Sequence, residues 1–181
     1  EMIIKETKHL AHTDSNKDPN IVNSVNVMPI WNLLELFKKK NTLNRMIYFS
    51  TVHVYGPLPS IKFDESQWAS PDSPYGLTHY FSEKICNMYN TISGIECVNL
   101  RLSNSYGSPL FANSNCWSLV VNDLCRTAFT KKKIVLKSDG SALRDFIHHK
   151  DIFGAVHQLI QSEWSQSDGT YHLSSGSTYS I

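Results

Sequence analysis

No glycine precedes Gly56, although the chain of 181 residues holds eight. A phosphate-cradling turn needs several glycines close together between a strand and a helix, so the first 55 residues contain no such turn. The four cysteines, Cys86, Cys97, Cys116 and Cys125, include no CxxC pair. Free thiols are therefore expected rather than zinc ligation or disulfides, in a chain long enough to build a core. The eight histidines are scattered apart from His148-His149, and neighbours on a strand face opposite ways, so no metal site is expected. Charge of one sign is lacking too: 17 Lys and Arg against 16 Asp and Glu leave a net charge of +1. That balance argues against nucleic acid as a partner, since its binders carry a basic face. No apolar run approaches the ~18 residues of a membrane helix. The opening EMIIKETKH is too polar for the apolar stretch of a secretory signal. A soluble, cytoplasmic protein is the expectation.

A hydrophobic fraction of 41% with 18% charged residues is that of a globular chain. Its length fits one domain or part of a larger one. Residues 20–40 are broadly helical in period, with Pro29 inside to kink the helix or start a new one. Lys38-Lys39-Lys40 at the end suit the negative pole of a helix dipole. Met46 to Phe49 reads as a buried strand, and residues 56–74, with four prolines, as a long loop. A helix is predicted over residues 75–90, with Ser73 as cap and Pro74 in its first turn. Further on, strands are predicted at residues 96–102, 134–136 and 171–173, and helices at 117–129 and 151–161. Asp139-Gly140 marks a turn. Strands separated by helices give an α/β fold with a mainly parallel sheet.

Four clusters of polar residues stand out. Ser50-Thr51 and Ser103-Asn104 each follow an apolar strand, at the sheet edge where open α/β folds bind ligands. In Ser73-Pro74-Tyr75-Gly76 and the helix that follows, Tyr75 pairs with His79 and Tyr80 with Lys84 at a spacing of four. A tyrosine beside a cation is a candidate acid or base, because the cation stabilises its phenolate. Either pair is a candidate, but a helix cannot turn both toward one site. Finally, Arg144, next to Asp145 after the turn, could grip a phosphate through both arms of its guanidinium or simply pair with that carboxylate.

The order of these clusters resembles the NAD(P)-dependent epimerase/dehydratase family, extended short-chain dehydrogenases that act on nucleotide sugars. The matching residues are His9-Leu10-Ala11, Asn26-Val27, Asn32-Leu33-Leu34-Glu35, Ser50-Thr51 with Val54-Tyr55-Gly56, Ser73-Pro74-Tyr75-Gly76, Arg101 with Asn104, Tyr106 and Gly107, Arg144 to His148, and Tyr171 to Gly176. The resemblance implies a partial Rossmann-type parallel sheet with helices on both faces, plus part of a small substrate-binding subdomain. Residues 1–107 would be what remains of the NAD(P)-binding domain, and 108–181 the substrate-binding portion interleaved with its last elements. NAD or NADP would be the cofactor and a nucleotide sugar the substrate. Tyr75 would be the acid/base, Thr51 would bond the same sugar oxygen, and His79 would assist. Leu10, Ala11, Asn26, Ser50 and Ser103 would line or support the cofactor site, with Tyr75 and His79. Asn104 and Arg144 would hold the sugar diphosphate. A homodimer through the Tyr75 helix follows by the same analogy.

Three departures refine these expectations. The missing glycines, the polar Lys5-Glu6-Thr7-Lys8 and the end at Ile181 suggest an internal piece without the first βαβ unit, expected to bind NAD poorly alone. His79 stands where the family has lysine, and a histidine with a pKa near 6.5 favours a phenolate less than a lysine near 10.4. Val52-His53 follow Thr51 where dehydratases carry an acidic pair, which leaves epimerase or 4-ketoreductase. The alternative is a catalytically inactive remnant of the family.

Overall fold

The computed structural model describes residues 18–40, 44–57, 64–136, 138–163 and 169–181. The chain divides into two compact units: Glu1–Arg101 with Ser165–His172, and Leu102–Trp164 with Leu173–Ile181.

Among the described residues, the first unit opens with two helices, α1 (Pro19–Asn26) and α2 (Met28–Lys40). Asp18 caps α1 by accepting from the backbone N–H groups of Asn20 and Ile21. The break falls at Val27 because Pro29 is tolerated only within a first turn. Strand β1 (Arg45–Thr51) runs into a short 3-10 turn, Val52–Tyr55. Then comes α3 (Pro74–Ser93), whose Ser73 cap accepts from Gly76 N at 3.2 Å. It ends at Gly94, where φ of +69° suits glycine. β2 (Glu96–Leu102) follows, and with β5 (Thr170–Leu173) it completes a parallel sheet in the order β1-β2-β5. β1 joins β2 through α3, the long crossover that parallel neighbours require.

At about 3.6 residues per turn, Tyr75, His79, Ser82 and Cys86 fall on one side of α3 and Leu77, Phe81, Met88 and Ile92 on the other. His79, Ser82 and Cys86 are buried, whereas the second set is exposed. Val27 from the break between the first two helices, Ile30 and Leu34 from α2, Tyr48 from β1, Ile85, Cys86 and Tyr89 from α3, and Cys97 from β2 belong to one core cluster.

In the second unit, β3 (Asn104–Tyr106) pairs in parallel with β4 (Arg144–His148), and β4 pairs antiparallel with β6 (Thr178–Tyr179). The helices are α4 (Val120–Lys131) and α5 (His149–Gln161). Two expectations are corrected here. Residues 134–136 form no strand: Ile134, Val135 and Leu136 are exposed and join neither sheet. An apolar triplet becomes a strand only if a neighbour accepts its backbone. The helix expected from Trp117 begins instead at Val120, because Ser114 caps a separate 3-10 turn, Asn115–Ser118.

Candidate active site

β1 delivers Ser50 and Thr51 to its carboxyl end, and the Ser73-Pro74 start of α3 sets Tyr75 beside them. Gly76 makes the approach possible. A Cβ there would collide with the His53 carbonyl of the 3-10 turn. Thr51 Oγ1 accepts from His53 N at 3.2 Å and keeps its own proton to donate, and its side chain neighbours the Tyr75 phenol. Tyr75 is partly buried. Its ring lies edge-on to His53 at 5.7 Å and tilted against His79 at 4.5 Å between centroids. Burial raises the Tyr75 phenol above its ordinary value, and the neighbouring Thr51 hydroxyl offsets only part of this. The other candidate pair is also formed, with Lys84 Nζ 4.9 Å from the Tyr80 ring centroid. It lines a separate cleft of about 800 Å³ with Pro19, Pro71, Leu77 and Phe81.

Behind this group lies a polar network that the sequence reading missed. Glu83 and Arg101 form a buried ion pair at 2.7 Å, with a second bond from Arg101 Nε at 2.9 Å. Ser50 donates to the same carboxylate at 2.6 Å. Arg101 Nη1 donates to the Tyr55 hydroxyl, which lies 2.6 Å from His172 Nε2. His172 N donates to Glu65 at 2.6 Å. Burial pulls Arg101 downward, but the Glu83 carboxylate and Tyr55 more than offset that and hold it above its usual value. Burial likewise lowers His172, leaving it the neutral acceptor that the Tyr55 proton needs. The available signal was a Glu on the inward arc of an amphipathic helix and an Arg inside the apolar strand ECVNLRL. Buried charges of that kind are nearly always paired.

Thr51, Tyr75 and His79 therefore come together. Ser50 stands next to them, but its hydroxyl is committed to Glu83. Asn26 is fully buried, donates to Thr78 Oγ1 at 3.1 Å, and accepts from Ser82 through its backbone carbonyl. It braces α1 against the helix that carries Tyr75. Leu10 and Ala11 lie outside the described residues.

Ser103, Asn104 and Arg144 belong to the second unit. Ser103 donates to Asp145 at 2.6 Å, and Asn104 to the Asp145 carbonyl at 3.0 Å. Asp145 also accepts from Ser175 and Ser177. Partial burial raises its carboxyl, but these hydrogen bonds outweigh that and hold it below the usual range. Arg144 opens β4 opposite Tyr179 and is exposed. Among the described residues, no group of His, Cys, Asp and Glu could hold a metal ion.

Known proteins resemble this chain over most of its length. The model of the NAD dependent epimerase/dehydratase family matches residues 4–174. UDP-glucose 4-epimerase of Mycoplasma pneumoniae is 26% identical, over 92% of this chain and 54% of the relative. UDP-glucuronate 4-epimerase 5 of Arabidopsis thaliana is 31% identical, over 82% of this chain and 34% of the relative. Among solved structures, UDP-N-acetylglucosamine 4-epimerase of Methanobrevibacter ruminantium, in complex with UDP-N-acetylmuramic acid, superposes with a TM-score of 0.84 at 25% identity. That match covers 94% of this chain and 54% of the other. The chain spans about half the length of the curated relatives it matches. With a family match across nearly all of its residues, the chain belongs to the NAD dependent epimerase/dehydratase family.

Proposed function

We propose that the chain carries the proton-transfer centre of a nucleotide-sugar epimerase or 4-ketoreductase that uses NAD or NADP. The observation that carries this reading is the placement of Thr51, at the carboxyl end of β1, beside Tyr75, with His79 against the Tyr75 ring. Two convergent hydroxyls and an imidazole suit a sugar hydroxyl and the nicotinamide ribose. The pyrophosphate finds no Gly-rich turn in residues 1–55.

When bound, the nicotinamide takes or gives a hydride at a sugar carbon. The Tyr75 hydroxyl gives its proton to the sugar carbonyl oxygen during reduction and removes it from the hydroxyl during oxidation. The Thr51 hydroxyl beside Tyr75 favours its phenolate. Arg144, exposed at the start of β4, offers a two-armed donor for a diphosphate.

The raised phenol sets the pH behaviour. Tyr75 is protonated at neutral pH and ready to act as an acid. Reduction of a 4-keto sugar should therefore be nearly flat around neutrality. Oxidation requires the phenolate and should rise about tenfold per pH unit. Stopped-flow pH profiles in the two directions check this, and a maximum near pH 7 for oxidation would contradict it.

A homodimer belongs to the same reading. Leu77, Phe81, Met88 and Ile92 leave an exposed apolar strip on α3, which a two-fold copy of the same strip would cover. Light scattering should give twice the mass of the chain, and Phe81→Glu should return it to a monomer. A monomeric wild type removes this part.

A second reading is an inactive member of the family, favoured by His79 in place of lysine. Calorimetric titration with NAD(H) and NADP(H) separates the two, since such a member binds neither.

A further inference from the structure

His79 is buried at 2% exposure, and among the described residues it hydrogen-bonds Tyr48, buried at 3% on β1. The Tyr48 hydroxyl lies 2.8 Å from His79 Nδ1, with the rings 5.9 Å apart between centroids. On its other side the imidazole meets the Tyr75 ring at 4.5 Å. His79 therefore sits between two phenols, one on the sheet and one a turn earlier on α3. A charge on an imidazole this deeply buried carries a desolvation cost. Glu83, the buried carboxylate of the same helix, is already bonded to Arg101 and Ser50. Burial also holds the Tyr48 phenol far above its usual range, so it keeps its proton.

We propose that Tyr48 is a positioning residue for His79: its hydroxyl donates to Nδ1, fixes the neutral tautomer with the proton on Nε2, and holds the ring against Tyr75. The tautomer of a histidine is set by the bond its other nitrogen makes. His79 thus presents an N–H donor of fixed direction where a lysine would present a charge. It acts by orientation and hydrogen bonding, without a cation's pull on the phenolate. The importance of this for catalysis rests on the proposed role of Tyr75, but the tautomer itself does not.

The test is long-range ¹H–¹⁵N NMR of the His79 ring in the full-length protein, without cofactor or substrate. A pyridine-type Nδ1 and a pyrrole-type Nε2 are expected. Tyr48→Phe, which keeps the ring and removes the hydroxyl, should shift the Nδ1 signal or redistribute the proton between the nitrogens. A pyrrole-type Nδ1 in the wild type, two protonated nitrogens at pH 7, or a pattern unmoved by Tyr48→Phe would each overturn the proposal. The wild-type spectrum decides even if the variant does not fold. In turnover assays, Tyr48→Phe should lower kcat roughly tenfold with little change in KM, an effect of about 1.4 kcal/mol. A protein with the expected tautomer but no turnover would refute the enzymatic reading and leave the Tyr48–His79 geometry standing.

Discussion

Tyr75→Phe should abolish nearly all turnover while leaving the fold intact. The substitution removes one oxygen and keeps the ring that packs against His53 and His79. A positioned acid or base contributes about 10²–10⁴ in rate, and kcat should fall by that factor, with KM for the sugar changing much less. Thr51→Ala should cost less, because it removes a neighbouring hydroxyl that favours the Tyr75 phenolate and leaves the transferred proton in place. If the reading were shifted to Tyr80, Tyr80→Phe would carry the large loss instead. Tyr80 lies on the cleft lined by Pro71, Leu77 and Phe81, so that substitution should leave kcat within a few-fold of the wild type. Steady-state kinetics of the three variants check this, and a Tyr75→Phe variant with wild-type kcat would remove Tyr75 from the chemistry.

The second large effect is on stability. Glu83→Ala leaves the Arg101 guanidinium in the interior without its carboxylate and strands the Ser50 hydroxyl as well. The side chains of this ion pair are only 1% and 7% exposed. Breaking such a pair by removing one partner costs about 3–5 kcal/mol, because a buried charge is left uncompensated. Against a typical domain stability of about 5–15 kcal/mol, that is a loss large enough to unfold a marginal protein. Arg45 and Glu96 form the control, a pair at 2.7 Å whose side chains are 18% and 37% exposed. Solvent screens this pair, so Glu96→Ala should cost about 0–1 kcal/mol. Urea unfolding of both variants gives the comparison. Equal midpoints for the two would show that the interior network contributes nothing beyond an ordinary surface pair.

The local signals were legible in the sequence, and the long-range pairings were not. Ser73-Pro74 marked the start of α3 because a cap and a first-turn proline act within a few residues. Pro29 likewise marked the break between α1 and α2. The apolar segment ECVNLRL gave β2 with its observed ends. The strands of the second unit were harder. β3 and β6 are short, and their existence depends on β4 lying alongside. Residues 134–136 have a strand's composition without a partner.

In the site, the segments bearing Thr51 and Tyr75 could be read from their flanking residues. The bond from Tyr48 to His79 spans 31 residues and that from Tyr55 to His172 spans 117. Neither has a local signature. Tyr48 sits in an apolar run and reads as core, which it also is.

We propose that this arrangement serves hydride-linked chemistry on a nucleotide sugar. The most direct measurement is ¹H NMR of the full-length protein incubated with NAD and, separately, UDP-glucose, UDP-N-acetylglucosamine and UDP-glucuronate. The wild type should convert at least one sugar to its C4 epimer, and Tyr75→Phe should convert none. Failure to convert any of the three, together with no detectable binding of NAD(H) or NADP(H), would contradict the account and leave an inactive member of the family.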